Sequence, residues 1–594
     1  MVAITAASTK GGYVIAAFIL LASNYGISNA FTQTKLQNNG LHSMRKSARP
    51  ITTTTSLESI ATPPDANTKP TLTPLIPPSP TNSHYDSIIC GGGPAGLLSA
   101  IMLSRKYGPS HRIAVCERRE AIPPSPDDED VWSDVARFYL LGIGHRGQKA
   151  LTEFNVFDDF EKASVAVNGR RDWQPGKTDV EDGTITPAKK DVVSRVLARD
   201  KLVGVLHHHI VKNYADANID LLYGYEVDLM SFGNDDDDDD TEENDVVKVR
   251  VSKCEDVASS SSNNNNQYIA SQDAEEVCNV DDSYEVTTNF LIGADGSART
   301  IANAMEEYDV NRYTELNPLR RLFAPKPFRV TRYVDDNPRV YKSVPICLPS
   351  DWPTGLNYSA RSRGSRITLE ALPSDDKGSL CALLLMKPED ELAKANVDPK
   401  LLRAFFDKEF PQFGALVDDE EMERVATKAP STLPAFRYVG PRLNMGRRTI
   451  VLGDAAHTVK PYYGLGANTA LEDVQKLSEC LDEASANSKN DDDPVPNAVK
   501  LFSNKMSGDA AALVQISRNM DRPGKMFFVC FLLPIILDGI FHKMAPKIFG
   551  PNMFGMFQKR GVGFKQIQRK KRFDRTLQLA CIGTFLTGMG MAAK

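Results

Sequence analysis

Cysteine is sparse and unpatterned in this 594-residue chain. The nine cysteines are scattered, odd in number and without a CxxC pair, which argues against both a disulfide framework and a zinc site. Cys90 and Cys116 sit inside apolar runs and read as small buried hydrophobes. Tryptophan is rarer still, with 3 residues, and aromatics make up 8%. No basic-aromatic module stands out, so nucleic acid is not an expected partner. Nor does any uninterrupted apolar run reach the roughly 20 residues of a straight transmembrane helix. What remains, 41% hydrophobic and 25% charged, is ordinary globular material with length for two or three domains.

The net charge of −6 hides a local excess. Asn234 to Glu285 holds 17 acidic and 3 basic residues, a balance of −14, which leaves +8 for the rest. Asp235–Asp240, Ser259–Ser262 and Asn263–Asn266 read as a low-complexity insert at 234–283. Val246 to Val251 alternates as one strand, and Tyr284 to Ile292 is expected to return beside it.

The N-terminus carries an address. Tyr13 to Ala22 is a ten-residue apolar run after Lys10, and Ser28-Asn29-Ala30 gives the small residues of a signal-peptidase site. Phe31 to about His84 is rich in Ser, Thr and Pro and nearly free of acid. Together they resemble the bipartite presequence of a secondary plastid, over residues 1–84. A secretory signal with a linker is the plainer alternative, and a mitochondrial outer or endoplasmic reticulum membrane is the alternative location.

At the other end, Met526 to Leu537 is apolar but interrupted by Pro534 and followed by Asp538, and Leu577 to Ala593 is a second apolar stretch. Gln558 to Arg575, between them, holds eight Lys or Arg and one Asp. Basic residues beside apolar helices suit an anionic membrane surface. Residues 481–594 are therefore expected to form a helical tail that associates with a membrane; buried core helices are the alternative.

The middle is more specific. Ile88, Ile89 and Cys90 form a short apolar strand, and Gly91, Gly93 and Gly96 supply GxGxxG, with Pro94 and Ala95 between them. Leu97 to Tyr107 has helical periodicity. A second strand, Arg112 to Cys116, ends at Glu117, 21 residues past the last glycine, with Arg118 and Arg119 following. The glycines allow the turn, the approach of a pyrophosphate and close helix packing. The helix N-terminus attracts phosphate charge, and Glu117 is placed to accept ribose hydroxyls. An acid there favours FAD or NAD over NADP.

Two distant motifs choose between them. Asn289 to Arg299 (NFLIGADGSAR) is a strand running into Asp295-Gly296. Thr449 to Asp473 runs from a strand into Gly453-Asp454, then through Pro461, Gly464, Gly466, Ala467 and Asn468 into a helix. The set resembles the class A flavoprotein monooxygenases over roughly His84 to Asp521. Within them it resembles kynurenine 3-monooxygenase, through Arg137 to Leu151, Ala198-Arg199-Asp200-Lys201-Leu202, Asn357 to Pro373, Phe405 to Pro411 and Gly453 to His457.

The resemblance implies an α/β fold, with a Rossmann-like FAD domain (85–330 and 446–480) interleaved with a mostly antiparallel substrate domain (331–445). It implies FAD as cofactor, NAD(P)H and O₂ as co-substrates, and hydroxylation or epoxidation of an aromatic or apolar molecule. Arg137 and Arg199 are implied FAD contacts. Arg171, Tyr358 and Tyr462 are the implied substrate contacts, and Tyr463 is expected at the flavin edge. No catalytic side chain is implied, and His457 is expected to stabilise a helix N-terminus. The apolar Phe527 to Phe531 lies where the family's polar substrate contacts are expected, which favours a more apolar aromatic substrate. The rival readings are a flavin-dependent reductase or dehydrogenase and a non-catalytic, membrane-tethered flavoprotein.

Overall fold

The computed structural model describes residues 83–134, 138–188, 193–233, 246–256, 276–364, 366–488 and 493–592. The presequence, Arg137 and most of the acidic insert lie outside these residues.

Three short runs, Ser87–Cys90, Leu291–Gly293 and Thr449–Val451, lie side by side and parallel in a six-stranded sheet. Ile113–Glu117 and Ile219–Tyr223 extend it on one side, and Asn444–Met445 closes the other as an antiparallel edge. Ile88, Ile89, Leu291, Ile292, Ile450 and Val451 are wholly buried. That is why these strands read as continuous apolar runs: both faces of a parallel sheet are covered by helices. Helix Pro94–Tyr107 packs there with Gly466–Asn487. Proline in the first turn costs the first helix nothing, because that N–H has no intrahelical partner anyway.

The expected return strand Tyr284 to Ile292 is two strands. Glu276–Thr288 pairs antiparallel with Val247–Asp256, whereas Leu291–Gly293 joins the parallel sheet. The break falls where the Thr288 hydroxyl accepts the Phe290 N–H at 3.2 Å. One cysteine also departs from expectation. Cys254 is disulfide-bonded, and its partner in the strand register is Cys278.

The second domain is a seven-stranded, largely antiparallel sheet. Its strands are not confined to 331–445: Gly169–Trp173 and Thr184–Pro187 form one edge, with Gly169–Trp173 parallel to Asn357–Arg361. One face is packed by helices Pro399–Glu409 and Asp419–Thr427 through Leu402, Phe406, Met422 and Val425.

The C-terminal region is helical, and Pro534 does not end its apolar helix. Residues Gly524–Met544 run as one 21-residue helix, with a π turn at Phe528–Leu532 just before the proline. A wider turn takes up the lost donor and the ring without a break. Asp538 is buried and pairs with Lys571 at 2.9 Å and Arg575 at 3.2 Å of the following helix, Phe564–Ala592.

Candidate functional site

The glycine turn, the DG motif and the GD motif meet at the carboxyl ends of the three central strands. Gly91 has a φ of +105°, and a Cβ there would lie 2.5 Å from the Ala294 carbonyl oxygen, just before Asp295. A Cβ on Gly96 would stand 1.9 Å from the Gly91 carbonyl oxygen. Both positions therefore require glycine. Gly93, Gly296 and Gly464 face open space, with nothing within 4 Å of an added Cβ. Pro94 and Ala95 open the helix beyond Gly93.

Glu117 is tied into the turn. Its Oε2 accepts the Gly92 N–H at 2.8 Å, and its Oε1 accepts the Arg119 N–H at 3.2 Å. Arg118, beside it, is exposed.

Asp295 accepts the Ile301 N–H at 3.2 Å through Oδ2, while its Oδ1 is buried without a hydrogen-bond partner. Burial pushes its carboxyl up to about 6, against the pull of backbone N–H groups and Arg299. Asp454 is solvent-accessible yet enclosed. Burial raises its carboxyl above the usual range, and His457, Arg299 and Arg199 draw it back down. Asp454 thus lines an interior cleft.

Arg299 was missed as a site residue by sequence reasoning. It is buried, sits at a φ of +57° before helix Thr300–Glu315, and donates to the Asp454 carbonyl and the Thr458 hydroxyl. It thereby ties the DG motif to the GD motif. Its place directly after the DG turn was the available signal.

Asp473 was missed likewise. Its Oδ2 accepts from Gly453 N–H at 2.9 Å and lies 2.7 Å from His457 Nε2. Burial lowers the imidazole pKa, but Asp473 outweighs it and leaves His457 raised. His457 is thus a brace under the GD turn.

The loop after the GD motif is also internally braced. Asn468 is buried, accepts from the N–H groups of Gly144 at 2.8 Å and Gly147 at 3.3 Å, and donates to the carbonyls of Gly142 at 2.8 Å and Gly464 at 2.7 Å. Those four bonds fill the amide, so its side chain is not a cofactor donor. A Cβ on Gly466 would lie 4.0 Å from Asp454 Oδ1, which puts the start of helix Gly466–Asn487, with Ala467, beside that carboxylate. Pro461 opens the 3₁₀ turn Pro461–Tyr463. The Tyr462 hydroxyl donates to Asp521 at 2.6 Å, and buried Lys460 pairs with Asp521 at 3.0 Å and Asp335 at 2.7 Å. Tyr462 is thereby fixed by a buried ion cluster. The Tyr463 ring packs on Phe554 and Phe557 at 5.3 and 5.0 Å.

Two expected substrate contacts lie elsewhere. Arg171 stacks between Trp173 and Trp352 at 4.9 and 4.8 Å and donates to the Val180 carbonyl at 2.7 Å. Tyr358 is buried against the same tryptophans, its hydroxyl donating to the Pro353 carbonyl at 2.6 Å. Both lie on the helix-covered face, because residues alternate across a strand. The neighbouring Arg170 takes the opposite face, where its Nε and Nη2 donate to Asp172 at 2.8 and 2.5 Å.

The cleft suits FAD on its own chemistry. An unpartnered Asp295 oxygen, an accessible Asp454 and a helix N-terminus over open glycines together match hydroxyl donors and phosphate charge. Arg199, partly exposed beside Asp200, carries its charge toward Asp454.

A family model described as an FAD binding domain matches residues 410–491. Kynurenine 3-monooxygenase of Salinispora tropica is 25% identical over 84% of this chain and 94% of its own length. The enzyme of the same name from Salinispora arenicola is 24% identical over 85% and 95%. That of Dictyostelium discoideum is 24% identical over 69% and 72%. A solved 2-methyl-3-hydroxypyridine-5-carboxylic acid oxygenase superposes at a TM-score of 0.48 with 14% identity, over 73% of this chain and 90% of that one.

Proposed function

We propose that this chain, an FAD-dependent monooxygenase similar to the kynurenine 3-monooxygenases, uses NAD(P)H and O₂ to hydroxylate a small aromatic substrate held between its two domains. The observation that carries the reading is the convergence of Gly91–Gly96, Asp295 and Asp454 on one cleft, with Arg299 bridging the last two.

FAD, when bound, supplies hydride acceptance and oxygen activation. The chain's own residues bind, orient and exclude water. Asp454 and Glu117 face hydroxyl donors, and the N-terminus of helix Pro94–Tyr107 faces phosphate charge. The N–H groups opening helix Gly466–Asn487 favour negative charge developing beside them. Tyr463, Phe554 and Phe557 give the loop an apolar backing that keeps water out. The test is NAD(P)H oxidation by the FAD-loaded chain with and without L-kynurenine, scoring oxygenated product. Bound flavin that NAD(P)H fails to reduce would sink the reading and favour the non-catalytic flavoprotein.

The tail is read as membrane-docking. Helix Gly524–Met544 is long and apolar enough to cross a membrane by length and composition. Phe528, Val529 and Met544 are exposed, as are Leu579 and Phe585 on the last helix. A basic stretch, Gln558 to Arg575, lies between these exposed groups. Binding to vesicles containing about 30% anionic lipid, lost on deleting 524–594, is the expected result. Residues 1–84 are read as the plastid presequence, tested by the destination of a fluorescent fusion in a cell with a secondary plastid.

A further inference from the structure

The seven-stranded sheet has a second face, and it fronts the FAD domain. Leu372 and Cys381 pack on Phe138, Leu140 and Val196, with the Cys381 thiol donating to the Phe138 carbonyl at 3.6 Å. The Tyr341 ring lies 6.1 Å from that of Tyr139, which in turn feels the charge of Asp454. Strand register fixes what stands between these anchors. Glu370 is opposite Leu383 on one side and Ser359 on the other, and Ser359 is opposite Asp172. Leu372 and Glu370 are two apart on one strand, so they share the face. Asn357 and Ser359 share it likewise, since Tyr358 between them points to the helices.

The hydrogen-bonding capacity of this wall is uneven. Arg170 is satisfied by Asp172, and Ser359 donates to the same Asp172 oxygen at 2.7 Å. Those three groups close on one another, and the arginine's charge is neutralised there. Glu370 is half-buried and makes no hydrogen bond or ion pair among the described residues, and Asn357 Oδ1 is buried without a partner. Two acceptors therefore face the domain cleft with no donor supplied by the described chain. The buried Asn357 oxygen left unmet is unfavourable, and a ligand that brings a donor to it, beside the half-buried Glu370 carboxyl, relieves that cost. A ligand carboxylate would meet Glu370 and Asp172 here, with Arg170 already engaged and Arg361 standing at the exposed end of the strand.

We propose that Glu370 is a specificity-determining residue which, with Asn357, accepts hydrogen bonds from an amine on the aromatic substrate. The inference rests on the monooxygenase reading, and it names the substrate class: aromatic molecules carrying an alkylamine in preference to those carrying a carboxylate. In support, burial pushes the Glu370 carboxyl up to about 7, with Arg170 and Arg361 opposing and Asp172 adding to the rise. A cationic amine beside it would hold it ionised, so binding near neutral pH releases a proton.

The test is calorimetric titration of the full FAD-loaded chain with tryptamine and with indole-3-propionate, in buffers of different ionisation enthalpy. Tryptamine is expected to bind about tenfold or more tightly than the acid and to release protons. Glu370→Gln, compared at equal FAD content, is expected to weaken tryptamine about tenfold, to abolish the proton release and not to weaken the acid. Asn357→Asp adds an acceptor charge and is expected to tighten tryptamine. Preference for the acid, equal weakening of both ligands by Glu370→Gln, or no binding of tryptamine would overturn the proposal. Amine-selective binding without NAD(P)H-dependent flavin reduction would leave the site standing and remove the monooxygenase reading instead.

Discussion

The cofactor cleft and the substrate wall solve opposite problems with the same groups. At the GD turn the braces are matched within the chain: Asp473 with His457 and Gly453, Lys460 with Asp521 and Asp335. On the wall, Glu370 and Asn357 Oδ1 have no such match. The cleft must hold a large, extended dinucleotide along its backbone, which favours turns that nothing can deform. The wall must distinguish one small molecule from another, which favours an unmet group.

The largest effect is expected where backbone meets backbone. Gly96→Ala places a Cβ 1.9 Å from the Gly91 carbonyl oxygen. Neither atom can retreat, so the purified variant should carry no flavin absorbance and lose about 4 kcal/mol or more of stability in urea unfolding. Next comes the brace. Asp473→Ala leaves both the Gly453 N–H and His457 unpaired in a buried site and should cost about 3–5 kcal/mol. Asp473→Asn keeps an acceptor and should cost clearly less. Equal losses from the two would mean the ion pair does not matter to the turn.

Much of the cleft was legible because it is written in backbone requirements. Gly91 and Gly96 are readable from spacing alone, since no other residue allows the turn and the helix contact. The three motif strands were readable as apolar runs, and the GD aspartate as a polar residue at a strand end. The braces were not. Asp473 sits one turn-rich loop and two helical turns beyond the aspartate it supports, and Arg299 reaches Asp454 across 155 positions of chain. Such pairings exist only after folding. The wall failed for a different reason: Arg170 and Arg171 are adjacent, and only the strand's phase says which one faces the cleft. The edge strands at 169–187 were hidden in the same way, because a strand joins a sheet through partners far away in sequence.

The wall also carries a pH signature. A carboxyl raised from 4.5 to about 7 binds a proton more tightly folded than unfolded. Its ionisation therefore weakens the fold progressively between about pH 4.5 and 7, fully above 7 and not at all below 4.5. The cost is at most about 3 kcal/mol. Without ligand, Glu370→Gln should gain melting temperature over the parent at pH 8 and show little difference at pH 4.5. A constant offset at both would mean the carboxyl titrates normally and the wall is open to water.

The smallest expected effect tests the face assignment itself. Arg171 donates to the Val180 carbonyl and stacks on two indoles, on the side covered by helices. Arg171→Leu loses that hydrogen bond and two cation–π contacts but keeps the apolar stem, at about 1–2 kcal/mol of stability. Because the side chain lies away from the cleft, KM for an oxygenated substrate should hold. Arg170→Leu instead leaves Asp172 unpaired beside Glu370, makes the wall more negative and should shift ligand preference further toward amines with little stability change. If Arg171→Leu raised KM and Arg170→Leu left selectivity alone, the strand would be one residue out of phase with the face described. Every side chain assigned to the wall would then belong to the core.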